Sequence, residues 1–145
     1  MLFGLLPTAL VLTPDGLRPL GALAVGDEIL AWNLAGRALV ARRVTRIHDG
    51  AADHLYRLET PVATLAGCTP GVQVFDTSED MFRGAGSLSA IAEMAVWCDG
   101  ELTSQPLTDA VEFTAPGTAV RFLAHDGDEP TFFADGFLLR HPAAR

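Results

Sequence analysis

The sequence predicts an all-β fold, and three observations carry that prediction. Short apolar segments alternate with polar residues, glycine, proline and aspartate stand at the breaks between them, and no repeat or low-complexity run divides the chain. Residues 10–13 form a first short strand, stopped by the turn tetrad Thr13-Pro14-Asp15-Gly16. Residues 17–20 lead into a short link over 21–26, and residues 27–32 make a second strand closed by a turn at 33–36. Residues 37–48 alternate as a long bent strand, Asp49-Gly50 is a break, and residues 54–60 alternate again. Residues 72–75 are short and β-like, residues 76–86 read as a polar loop, and residues 89–94 as one helical turn. Residues 94–98 precede the hairpin signal Asp99-Gly100. Residues 111–113, 119–125 and 131–139 complete the strands, with a turn at 126–130 between the last two.

Composition narrows the function classes. The 145 residues (15.4 kDa) read as one domain over 1–145, with 49% apolar and 19% charged residues, enough to bury a core without disulfide or metal staples. The net charge of −8 and the lack of a basic cluster argue against nucleic acid as a partner. All ten basic residues are arginine, which together with the many alanines reads as a GC-rich coding bias. Six arginines balance six acids in residues 1–60, whereas four face twelve in residues 61–145. The acidic surplus reads first as a solvated surface and second as a docking face for a basic partner. Cys68 and Cys98 are too few for a disulfide scaffold and match no zinc spacing, so they are expected as unlinked thiols. The apolar start, residues 1–12, lacks the basic region and cleavage site of a signal peptide, and no stretch approaches the roughly 20 apolar residues of a membrane helix. The expectation is a soluble chain with no membrane association and no address, cytoplasmic or held in a virion-like particle.

Several pieces resemble one family. Residues 10–13 with Pro14-Asp15-Gly16, then Arg18-Pro19-Leu20, then Val25-Gly26-Asp27-Glu28-Ile29-Leu30 look like the opening block of a Hint (Hedgehog/intein) domain. Residues 43–47 and 55–58 are similar to its next strands, Cys68-Thr69-Pro70 with Val74-Phe75 to its second catalytic block, and residues 131–139 to its closing block. The match runs from about residue 4 to residue 141 and is poor over 76–108. It implies a horseshoe of short strands with pseudo-two-fold character. It also implies a nucleophilic Cys or Ser at the position of Gly4 and a histidine at that of Val72, three residues after the retained Thr69. A closing His-Asn would fall on Arg140 and His141, followed by Cys, Ser or Thr where Pro142 stands. None of those side chains is present, no Cys or Ser lies in the first twelve residues, and no Asn follows Asn33. Residues 1–3 and 142–145 also leave little to splice.

The sequence therefore favours a non-catalytic structural or interaction module, docking through protein contacts into a larger assembly such as a phage virion or tail. Phe82, Met94 and Trp97, within the divergent stretch, are its candidate binding anchors. The alternative is a self-processing or thiol-dependent enzyme with a replaced nucleophile such as Cys68, served by His54, His125 or His141. The four histidines and two cysteines show no metal-ligand spacing, and Asp126, Asp128 and Glu129 around Gly127 suit a polar turn better than a calcium loop. No metal or cofactor is expected, and the oligomeric state is left open. Trp32, Trp97 and the apolar closing strand read as core or edge residues.

Overall fold

A computed structural model describes residues 3–142. Twelve strands account for nearly all of its regular structure: β1 Leu10–Thr13, β2 Gly16–Pro19, β3 Glu28–Asn33, β4 Ala38–Glu59, β5 Thr64–Cys68, β6 Gln73–Asp76, β7 Met81–Gly84, β8 Glu93–Cys98, β9 Glu101–Pro106, β10 Asp109–His125, β11 Thr131–Ala134 and β12 Phe137–Arg140. The all-β expectation holds. Strands β2, β1, β11, β12, β6, β8 and β9 lie in that order in one sheet, with β7 on β6, while β10, β4 and β3 form a second, with β5 on β4.

One unit occurs twice. The hairpin β1–β2, a 3-10 turn at Leu20–Ala22 and strand β3 have their counterpart in the hairpin β6–β7, a 3-10 turn at Ala85–Ser87 and strand β8. The residue before each 3-10 turn is extended in the same way, Pro19 at φ −59°, ψ 137° and Gly84 at φ −61°, ψ 140°. Leu20 and Ala85, which open the two turns, are both buried. This internal pairing gives the fold its pseudo-two-fold character.

The strand limits differ from expectation for physical reasons. Asp49-Gly50 does not interrupt β4, because β10 supplies a full ladder of partners and places Arg121 opposite Asp49, where the two pair at 2.7 Å. The register of that ribbon shifts instead on β10, between Thr114 and Thr118, where Gly117 takes a positive φ, and again at Ala124–His125. Residues 17–19 are an edge strand, tolerated with Pro19 at its end because an edge leaves donors unpaired in any case. The stretch read as a polar loop contains β7, and the expected helical turn at 89–94 is a reverse turn, Ala92 N–H to Ser89 O at 3.1 Å, leading into β8. The run 131–139 is a hairpin rather than one strand: Asp135 (φ 49°) and Gly136 (φ 87°) both take left-handed geometry, as a two-residue primed turn requires. The hairpin expected at Asp99-Gly100 is present, joining β8 to β9.

The main core gathers side chains from both sheets, among them Leu5, Leu20, Ile29, Leu58, Leu65, Cys68, Met94, Leu123, Phe137 and Leu139. A second cluster packs Trp32, Phe75, Ala95, Phe133 and Leu138. Among the described residues no helix is long and apolar enough to cross a membrane.

Candidate functional site

Residues 4–6 are wedged between β5 and β10. Leu5 exchanges two backbone hydrogen bonds with Arg121, each 2.8 Å, and the Leu6 N–H donates to Gly67 O at 3.1 Å. Gly4 is held twice by one residue: its N–H donates to Thr69 Oγ1 at 3.0 Å, and the Thr69 N–H donates to Gly4 O at 2.9 Å. Both residues are buried. The peptide bond that joins Phe3 to Gly4 is thereby fixed at its nitrogen by a side-chain oxygen. Glycine is required here by packing, since a Cβ at residue 4 would lie 2.7 Å from both Cβ and Cγ2 of Val120.

Residues 139–142 come to the same place. Phe3, Leu5, Val72, Phe122, Phe132, Leu139, Arg140, His141 and Pro142 line one small cavity of about 10 Å³, close to the volume one water centre needs. Val72 is buried there and takes part in the turn that follows Thr69, its N–H donating to Thr69 O at 3.1 Å. The first and last described segments therefore meet. Arg140 sends its guanidinium over the Phe82 ring, 5.7 Å from the centroid. His141 is buried, its N–H bound to Pro130 O at 2.9 Å.

His141 packs on a second buried histidine, His125, which the sequence offers only as a base for Cys68. The His125 and His141 rings stand 4.5 Å apart at 80°. His125 Nε2 lies 2.8 Å from Thr131 O and so carries the proton, while its Nδ1 accepts from the Gly127 N–H at 3.0 Å. His141 Nδ1 lies 2.9 Å from Pro142 O and is likewise the protonated nitrogen, which leaves Nε2 to face the His125 N–H at 3.5 Å. Burial lowers both rings, that of His141 to about 4, so both are neutral at pH 7. An apolar strand running into His-Asp-Gly was the one sequence signal for His125, and it also fits an exposed turn histidine.

The other candidates lie elsewhere. Cys68 is fully buried in the main core, and burial pushes its thiol up to about 12, so it cannot supply a thiolate near neutral pH. His54 is exposed, on a groove of about 700 Å³ that passes over Thr69, Pro70 and Gly71. Cys98 is partly exposed and unlinked, as Cys68 is. One of the three proposed anchors is corrected: Met94 has no exposed surface, because β8 is built into the large sheet rather than left as a loop. Trp97 and Phe82 are partly buried, Trp97 against Trp32 and Phe133 at 6.0 and 5.6 Å and Phe82 between Phe75 and Arg140. Among the described residues no group of three or more His, Cys, Asp or Glu is placed to hold a metal ion.

No protein-family model and no curated protein matches the chain. Solved structures do. The chain is similar to a bacterial intein-like domain from Clostridium thermocellum (TM-score 0.86, 16% identity, covering 97% of this chain and 100% of that one). It is similar to a DnaB intein from Synechocystis (TM-score 0.84, 16% identity, 98% and 100%) and to the TvoVMA intein (TM-score 0.83, 16% identity, 97% and 98%). The Hint-like fold of inteins is therefore present from end to end. This likeness overturns the expectation of a non-catalytic structural module in a virion or tail, and with it that of no enzymatic activity.

Proposed function

We propose that this chain is a self-processing domain of the intein-like kind, acting on the peptide bond before its own Gly4. The observation that carries the reading is the double hydrogen bond between Gly4 and Thr69, which holds that bond buried beside the closing residues His141 and Pro142. Gly4 brings no nucleophile and Cys68 is sealed in as a thiol, so the acyl acceptor comes from outside the chain: water, or an added thiol or hydroxylamine. The acceptor adds to the Phe3 carbonyl carbon, the bond to the Gly4 nitrogen breaks, and the acceptor's proton passes to that nitrogen. The products are a free Gly4 amine and a Phe3 carboxylate, thioester or hydroxamate. Thr69 keeps the leaving nitrogen in place throughout. No metal, cofactor or separate protein partner enters this scheme; its substrate is the flanking segment of the same chain.

The test is a fusion with a tag before residue 1 and another after residue 145, incubated with and without thiol. Cleavage before Gly4 in the parent, slowed at least tenfold in Thr69→Val and restored in Thr69→Ser, supports the reading. Equal rates in all three, or an intact fusion throughout, overturn it.

A further inference from the structure

The paired histidines share a feature that the cleavage scheme does not use. Each ring directs its only lone pair at a backbone N–H: His125 Nδ1 at that of Gly127, and His141 Nε2 at that of His125. A neutral imidazole has one donor and one acceptor, and here both are engaged on both rings. A protonated imidazole has two donors and nothing to accept with. Adding a proton to either ring therefore sets N–H against N–H, and adding one to each brings two cations to 4.5 Å.

The segments that depend on these contacts are few and adjacent. Gly127 belongs to the 126–130 loop between β10 and β11, and His141 ties the chain end back to that loop through Pro130 O. We propose that the His125–His141 pair is an acid-operated latch, in which protonation of either ring frees the 126–130 loop together with residues 141 and 142. The latch is read from hydrogen bonding and does not depend on whether the bond before Gly4 is cut.

The charged groups around the pair set its threshold. Asp126 and Glu129 favour a proton on His125 and Arg42 opposes it; Arg42 is itself paired with Glu129, which tempers that carboxylate. Arg46, Arg140 and His125 all oppose a proton on His141. Burial acts in the same direction on both rings, so the closed form holds fewer protons than the open one. The sign follows: stabilisation of the closed form is complete above about pH 6.5, the ordinary histidine value, and is lost as pH falls towards about 4, the value of the closed His141. Over that window the opening equilibrium rises up to tenfold per pH unit for each ring, or roughly 30-fold for His141 alone between pH 7.5 and 5.0.

Hydrogen exchange on the full chain at pH 7.5 and 5.0, corrected for intrinsic rates, reads this directly. The Gly127 and His141 amides are expected to lose about 30-fold or more of their protection at pH 5.0 relative to amides of β8 and β9. His141→Gln and His125→Gln, each removing one titrating ring, are expected to reduce that change in part, and the double variant to bring it below threefold. Equal changes in latch and reference amides, or a full loss retained in the double variant, overturn the latch. Should the variants not fold, an NMR titration of the parent decides. A Gly127 amide signal that moves with the histidine ring signals supports the latch, and one that stays fixed while both rings titrate refutes it.

Discussion

Replacing Gly4 by alanine adds one methyl group to a position whose nearest neighbours leave it no room. The new Cβ would lie 2.7 Å from both Cβ and Cγ2 of Val120, about an ångström inside an ordinary carbon contact, and Val120 is only 1% exposed. Cβ of Val120 is fixed by the β10 backbone, so relief requires residues 4–6 or that strand to move. Either movement strains the bonds of Leu5 to Arg121 and of Gly4 to Thr69. Overpacking of this kind costs about 1–3 kcal/mol, offset by roughly 0.4–1 kcal/mol from the stiffer unfolded chain. The net loss is about 1–2 kcal/mol, or a fall in Tm of about 2–8 °C for a domain of this size. Urea unfolding of Gly4→Ala, Val120→Gly and the double variant separates this clash from general damage. Val120→Gly removes both contacted atoms, so the double variant should be at least 1 kcal/mol more stable than the two single effects predict by addition. A Gly4→Ala protein of unchanged stability, or strict additivity, would refute the account of why glycine stands at the junction.

Further outcomes follow from the same packing. Thr69→Val keeps the shape but leaves the Gly4 N–H buried without its acceptor, and should cost about 1–3 kcal/mol in urea unfolding, with Thr69→Ser near the parent. In the folded protein at pH 8, Ellman's reagent should modify Cys98 within minutes and Cys68 only on unfolding, because Cys68 is sealed in and held as a thiol up to about 12. Met94→Ala should act on stability, by about 2–5 kcal/mol, as a core truncation does, and calorimetry measures it.

The amount legible in the sequence can be argued residue by residue. Turn chemistry was explicit: Thr13-Pro14-Asp15-Gly16 turns the chain as expected, and Asp99-Gly100 forms the hairpin it signals. The same Asp-Gly signal at residues 135–136 was hidden by apolar residues on both sides, which read as one uninterrupted strand. The length of β4 was not legible, because the ladder that carries it through Asp49-Gly50 belongs to a strand some seventy residues later. Thr69 was legible from its neighbours Cys68 and Pro70, whereas Val120, which makes Gly4 necessary, stands in an ordinary strand and gives no local sign. Met94 is misplaced as an anchor because it lies in a stretch that departs from the resemblance, and that departure does not leave it exposed. His125 was visible as a residue but not as a partner, since its contact with His141 is made only when β10 and β12 come together at their ends.

The central claim is that the bond before Gly4 is the one this fold works on. The first residue of the downstream product from a tagged fusion tests it most directly, by N-terminal sequencing combined with intact mass. The account predicts a product that begins at Gly4 and accumulates faster with added thiol or hydroxylamine. A fusion that stays whole under every condition, or a product that begins at any other residue, would contradict it.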